Sequence, residues 1–194
     1  MGQADILRRP EKLWNSSYIL VLVVSTFSSF SFYMVATIMS KYLVSLGAGI
    51  AFAGFVVGLF SITSLVCRPF CGVMADRLNN IWLLIVSNVL MSIGLFGFAL
   101  SSNMPLMILF RVLNGIGFSI NGTVQVALII HFIPPTRTGE GIGYLGISQL
   151  IGSACAPALG LAIADRLGMS NTFIGAALLP LAASVMLAFM LRLQ

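Results

Sequence analysis

PFCGVMADRLNN, running from Pro69 to Asn80, breaks a long apolar segment with a proline, a glycine, an acid and a base. PALGLAIADRLG, from Pro157 to Gly168, closes a second apolar segment in the same manner. Pro69, Gly72, Ala75, Asp76, Arg77 and Leu78 correspond to Pro157, Gly160, Ala164, Asp165, Arg166 and Leu167. With Asp, Glu, Lys and Arg together making up 8% of the chain, a repeated acid-base pair in the same setting points to an internal repeat. Chance similarity of two amphipathic helix ends is the alternative.

The sequence around these stretches is overwhelmingly apolar. Its 194 residues are 59% hydrophobic and the mean hydropathy is +1.05, whereas soluble domains hold about 45 to 50% apolar residues and about a quarter charged ones. The chain is therefore a membrane protein. A net charge of +5 does not indicate nucleic acid, because the cations stand singly among apolar runs and form no aromatic-interleaved patch. Cys67, Cys71 and Cys155 with the single His131 do not make up a zinc ligand set, so neither a metal nor another cofactor is expected. MGQADI places Ile6 where a myristoylation signal has Ser or Thr, and the first apolar segment is too long for a cleaved signal core.

Spanning the hydrocarbon takes about 20 apolar residues in a helix. Six segments meet that length: Trp14 to Met39, Ile50 to Met74, Ile81 to Leu100, Pro105 to Ile130, Gly141 to Ala164 and Thr172 to Leu191. The whole chain, 1–194, reads as one six-helix transmembrane bundle preceded by a cytoplasmic segment, 1–13. Lys and Arg in short loops stay on the cytoplasmic side. Arg8, Arg9, Lys12, Arg68, Arg77, Arg137 and Arg192 fall on one side and Lys41 and Arg166 on the other, so both termini are expected in the cytoplasm. Trp14, Tyr18, Tyr42 and Trp82 near span ends are expected to anchor at the headgroups. The two ADRL stretches then lie three spans apart and on opposite faces, which makes spans one to three and four to six two inverted repeats, a construction common in secondary transporters. Within the first copy, Gly72 is expected to allow a close helix approach, and Asn79 to end the helix in the left-handed conformation.

Gly72, Ala75, Asp76 and Arg77 resemble the loop signature of the major facilitator superfamily, Gly-x-Leu-Ala-Asp-Arg-x-Gly-Arg-Lys, with Met74 for leucine and Asn79, Asn80 and Ile81 departing from its last positions. Arg111, Asn114, Gly115 and Gly117 are similar to that family's Arg-x-x-Gln-Gly-x-Gly pattern. Gly152, Ala156, Pro157 and Gly160 resemble the signature of its antiporter, or export, branch. The resemblance covers all six spans and implies an all-α membrane fold, half of a twelve-span architecture. It also implies secondary transport by alternating access, with a gate or latch at Gly72, Asp76 and Arg77. The missing partner would be a second six-helix half, as a continuation of the chain or as another subunit.

Independently of family, a polar face on an apolar span should look into a cavity or toward another helix. Arg111, Asn114, Phe118, Asn121 and Gln125 follow one another at spacings of 3, 4, 3 and 4 and so share one face of the fourth span. Ser25, Ser29, Phe32 and Tyr33 share a face of the first, and Gln149 is the polar candidate in the fifth. These are the candidate cavity residues; Gly152, Pro157 and Gly160 are the candidate packing motif. The sequon Asn121-Gly-Thr123 lies within a span and is disregarded. Asp5, Glu11, Asp76, Glu140 and Asp165 all fall in loops or at helix ends, so protons as a coupling partner have no midplane carrier here. The partners expected are the lipid bilayer, a small organic substrate and the second half. An intramembrane serine protease would need a histidine facing an embedded serine, and His131 stands beside Pro134 and Pro135 at a span end. A non-transporting six-span scaffold remains as a further alternative.

Overall fold

The structure, a computed structural model, describes residues 13–193; the expected cytoplasmic segment with Arg8, Arg9 and Lys12 lies outside them. Six helices long and apolar enough to cross a membrane follow one another: α1 (Ser16–Ser45), α2 (Ile50–Arg77), α3 (Asn80–Leu100), α4 (Met104–Phe132), α5 (Thr138–Leu167) and α6 (Met169–Leu193). Among the described residues the only other element is a 3-10 turn, Pro135–Arg137.

Local chemistry explains the helix ends. Asn15 caps α1, its side chain accepting from the Tyr18 backbone N–H at 2.9 Å and donating to the Phe132 carbonyl at 2.6 Å, which ties the start of α1 to the end of α4. Pro105 sits in the first turn of α4, where a missing N–H costs nothing. Gly47 and Gly168 adopt φ of +88° and +92° and terminate α1 and α5. Asn79 does not take the left-handed role expected of it. Its backbone is extended at φ −68°, ψ 117°, and its side chain caps α3 by accepting from the N–H groups of Ile81 and Trp82 at 2.9 and 3.2 Å. The first ADRL stretch therefore ends in a cap for the next helix, while the second ends in a glycine turn.

The helices also outrun the sequence-based spans. α1 continues past Met39 to Ser45 because Tyr42 and Leu43 are buried, the Tyr42 hydroxyl donating to the Phe98 carbonyl at 2.8 Å and its ring meeting Phe173 at 4.7 Å. Tyr18 likewise donates to the Gly141 carbonyl at 3.0 Å. These two tyrosines are clamps between helices rather than headgroup anchors; Trp14 and Trp82, 51% and 58% exposed, keep the surface position expected of them.

α1 packs along α5 and α6, α4 along α2 and α3, and α3 along α6. α3 and α4 bury 56% of their most apolar stretch but α2 and α5 only 22% each, so α2 and α5 stand at the rim. Two apolar layers occupy the two ends of the bundle. One gathers Tyr18, Leu84, Val124, Leu128 and Leu187, and the other gathers Ile38, Leu95, Phe98, Met107 and Phe173. Between them lies a belt of buried polar residues, Ser25, Ser28, Ser87, Asn88, Asn121, Gln125 and Ser148.

Candidate functional site

The polar belt forms because a hydroxyl or amide that cannot reach water must find a partner within the bundle. Asn121 donates to Ser87 Oγ at 3.2 Å, and its own Oδ1 accepts from the Gln125 amide. Ser87 and Asn88 both donate to the Leu84 carbonyl, at 2.8 Å each, and Asn88 Oδ1 accepts from Ser28 Oγ at 3.1 Å. This chain of bonds starts on α4, crosses α3 and ends on α1. It fixes three amide or hydroxyl groups on the wall of a cavity of about 360 Å³.

Four helices line that cavity: α1 with Ser28, Ser29, Phe32 and Tyr33, α2 with Arg68, α4 with Phe118, Asn121 and Gln125 among others, and α5 with Gln149. Phe32 stacks on Phe118 at 4.6 Å and on Phe60 at 5.2 Å between ring centroids, which gives the cavity an aromatic wall beside its polar one. Seven candidates from the sequence, Ser29, Phe32, Tyr33, Phe118, Asn121, Gln125 and Gln149, thus meet around one space.

The other three do not line it. Ser25 is buried between α1 and α5, where it accepts from Ser148 Oγ at 3.2 Å. Asn114 donates to the Met91 carbonyl on α3 at 3.3 Å. Arg111 is only 3% exposed, and it turns to α2. Its Nε donates to the Val56 carbonyl at 3.2 Å and an Nη to the Val57 carbonyl at 3.5 Å, with the guanidinium 4.5 Å from the Phe60 ring centroid. A shared helical face was a sound inference for these residues, but a face as wide as α4's meets two neighbours as well as the cavity.

Arg68 is the residue that sequence reasoning missed. In the topology it counts only as a cytoplasmic-side charge, although the span Ile50 to Met74 contains it, and α2 runs through Pro69 to Arg77. At about 1.5 Å of rise per residue Arg68 lies about 13 Å inside the helix end. The usable signal was the apolar run Cys71-Gly-Val-Met74 beyond it, which places Arg68 before the helix end.

A second cavity, about 580 Å³, lies at the end of the bundle that carries the first ADRL stretch, and Asp76, Asn79, Asn80 and His131 are on its walls. No serine lines it among the described residues. Gly72 has open space where a Cβ would stand, so the close approach expected there is not made. At the second copy it is made: a Cβ on Gly160 would stand 2.9 Å from the Met34 carbonyl oxygen, and one on Gly152 would stand 2.6 Å from Ser29 Cβ. Pro157 lies between them inside α5.

The pattern of the Major Facilitator Superfamily matches residues 21–194. The chain belongs to that superfamily. Among curated relatives it is 29% identical over 147 residues to the "Multi-drug resistance efflux pump PmrA" of Streptococcus pneumoniae, covering 73% of this chain and 36% of that one. It is 25% identical over 127 residues to the "Quinolone resistance protein NorA" of Staphylococcus aureus, covering 66% and 33%. The chain thus spans about a third of the length of the curated relatives it matches. A peptide transporter of the POT type, solved in complex with alafosfalin, superposes on 97% of this chain and 41% of its own with a TM-score of 0.86 at 16% identity, which establishes the shared fold. The chain is accordingly an integral membrane protein of a transporter family, and its six helices correspond to part of that larger fold.

Proposed function

We propose that the chain is the N-terminal half of an exporter that carries a small organic molecule across the plasma membrane by alternating access. The observation that carries this is the cavity between α1, α2, α4 and α5: its walls combine fixed amides, a stacked aromatic group and one cation, the make-up of a small-molecule site. Export is supported by the two efflux relatives and by the Gly152, Pro157 and Gly160 motif.

In this reading α1 to α3 and α4 to α6 are inverted repeats. Exchanging α1 with α4, α2 with α5 and α3 with α6 turns the α1–α5 pairing into α4–α2 and the α1–α6 pairing into α4–α3, both of which occur. A second six-helix half packs against the rim formed by α2 and α5, and both termini face the cytoplasm. Asp76 and Arg77, both exposed, then form a latch with that half at the cytoplasmic gate. Asn121, Gln125, Gln149, Ser29 and Tyr33 contact the substrate; Arg111 and Asn114 hold α4 to α2 and α3 around it.

The test is flux in liposomes. The 194-residue chain alone should give no substrate-dependent efflux of a lipophilic dye, and the chain joined to a second six-helix half should give it. Efflux by the chain alone as a demonstrated monomer overturns the half-transporter reading, and no efflux in either form overturns export.

A further inference from the structure

α2 and α4 each carry one arginine inside the membrane, Arg68 and Arg111, and their surroundings differ. Arg111 is satisfied within the bundle by two backbone carbonyls and an aromatic face. Arg68 makes no hydrogen bond or ion pair among the described residues and is exposed on the cavity wall. α2 has 28 residues, so at about 1.5 Å each its centre lies near residues 63 and 64 and Arg68 about 7 Å from it. This depth is within a hydrocarbon core about 30 Å thick. A cation kept there without a partner costs several kcal/mol and marks a functional group by default.

The carboxylates of the described residues cannot neutralise it. Glu140 is held by Arg137 at 2.8 Å. Asp76, eight residues along the same helix, is displaced by about 12 Å and rotated by about 80°, and it lines the second cavity instead. Asp165 belongs to the last turn of α5, beyond Pro157 and sixteen residues from the cavity residue Gln149.

The rest of the cavity complements a negative group beside a flat apolar one. Arg68 is the only charged residue among the described residues lining it. The Asn121 amide is already bonded on both its atoms, to Ser87 and Gln125, which leaves the Arg68 guanidinium as the strongest free donor. Phe32, Phe118 and Arg68 together line this cavity and also a neighbouring one of about 420 Å³, so the stacked rings and the charge share both walls.

We propose that this cavity is an organic-anion site, in which Arg68 pairs with a carboxylate or sulfonate while the aromatic part of the same molecule lies against Phe32 and Phe118. The inference names the substrate class for the export reading and, as to transport, rests on it; binding can be measured independently. The guanidinium supplies a forked pair of N–H groups that matches a carboxylate in two bonds. The same charge disfavours lipophilic cations of equal size.

Two dyes with one tricyclic ring system separate the possibilities: fluorescein, a carboxylate anion, and rhodamine 6G, an esterified cation. Binding is measured by fluorescence polarisation on the 194-residue chain in lipid nanodiscs, with helicity and monodispersity checked for each variant. The wild type should bind fluorescein more tightly than rhodamine 6G. Arg68→Gln should weaken fluorescein about tenfold or more, the loss expected for a desolvated charge-assisted pair, and should tighten rhodamine 6G. Arg68→Lys, which keeps the charge but not the fork, should weaken fluorescein less than Arg68→Gln does. Equal changes for both dyes, unchanged fluorescein binding in Arg68→Gln, or a wild type that prefers rhodamine 6G or binds neither dye overturns the proposal. Arg68-dependent fluorescein binding without efflux by the completed protein would leave the anion site standing and remove the export reading; efflux of rhodamine 6G without fluorescein binding would do the reverse.

Discussion

The two ADRL stretches share their spacing and residue types, yet they end up in opposite packing environments. Around Pro157 the small residues are used: Gly152 and Gly160 bring α5 into contact with the backbone of α1 at Ser29, Phe30 and Met34. Around Pro69 the equivalent glycine, Gly72, faces open space, and α2 meets α4 less tightly through a glycine of the other helix, Gly115, where a Cβ would stand 3.1 Å from Thr63 Cβ and 3.2 Å from the Phe60 carbonyl oxygen. The close approach in each pair therefore depends on small residues where the helices meet, and either helix can supply them. A motif found twice in sequence fixes where a helix is able to approach a neighbour. Whether it does so is decided by which side of that helix the neighbour occupies.

Substitutions at the paired glycines test this difference most directly. Gly160→Ala and Gly152→Ala should each destabilise the chain by about 1 to 3 kcal/mol, because the added methyl meets backbone that cannot yield without moving a helix. Gly72→Ala should lie between no change and a gain of up to about 1 kcal/mol, the helix-propensity difference alone. Thermal unfolding in detergent reads all three, and a loss at Gly72 equal to that at Gly160 would erase the contrast.

The ends of the two stretches give a smaller effect. Gly168→Ala should cost about 1 to 2 kcal/mol through its left-handed φ, and Asn79→Ala about 1 kcal/mol through the lost cap on α3; the same unfolding measurement applies. If Asn79→Ser, which keeps a capping oxygen, cost as much as Asn79→Ala, the cap would not be the role of Asn79.

Asp76→Asn should change least in the isolated chain, since Asp76 is exposed and makes no hydrogen bond or ion pair among the described residues. Its stability should stay within about 0.5 kcal/mol of the wild type, as for most surface changes. In a completed transporter the same substitution should lower dye efflux, if Asp76 latches onto the second half. A destabilised isolated chain would instead assign Asp76 a role within this bundle.

Much of the candidate site was readable because polar residues are rare in membrane spans and each one needs a reason. That argument found Ser29, Tyr33, Asn121, Gln125 and Gln149, which share one cavity. It also selected Ser25, Asn114 and Arg111, which satisfy their polar groups against neighbouring helices; periodicity assigns a face but does not say what the face meets. Arg68 escaped for another reason. The span Ile50 to Met74 contains it, but the charge rule uses it only to orient the chain, and only the tertiary structure puts it on the cavity wall.

From the sequence alone came six spans, the all-α membrane class, the superfamily and the correspondence of the two ADRL stretches, because each depends on apolar length or on local spacing along the chain. Only the tertiary structure decided which arginine is satisfied and which is free, and which glycine is a contact and which a vacancy. Those outcomes depend on where a distant helix lies, and nothing in the spacing of residues along one helix specifies the atoms that another helix brings to it.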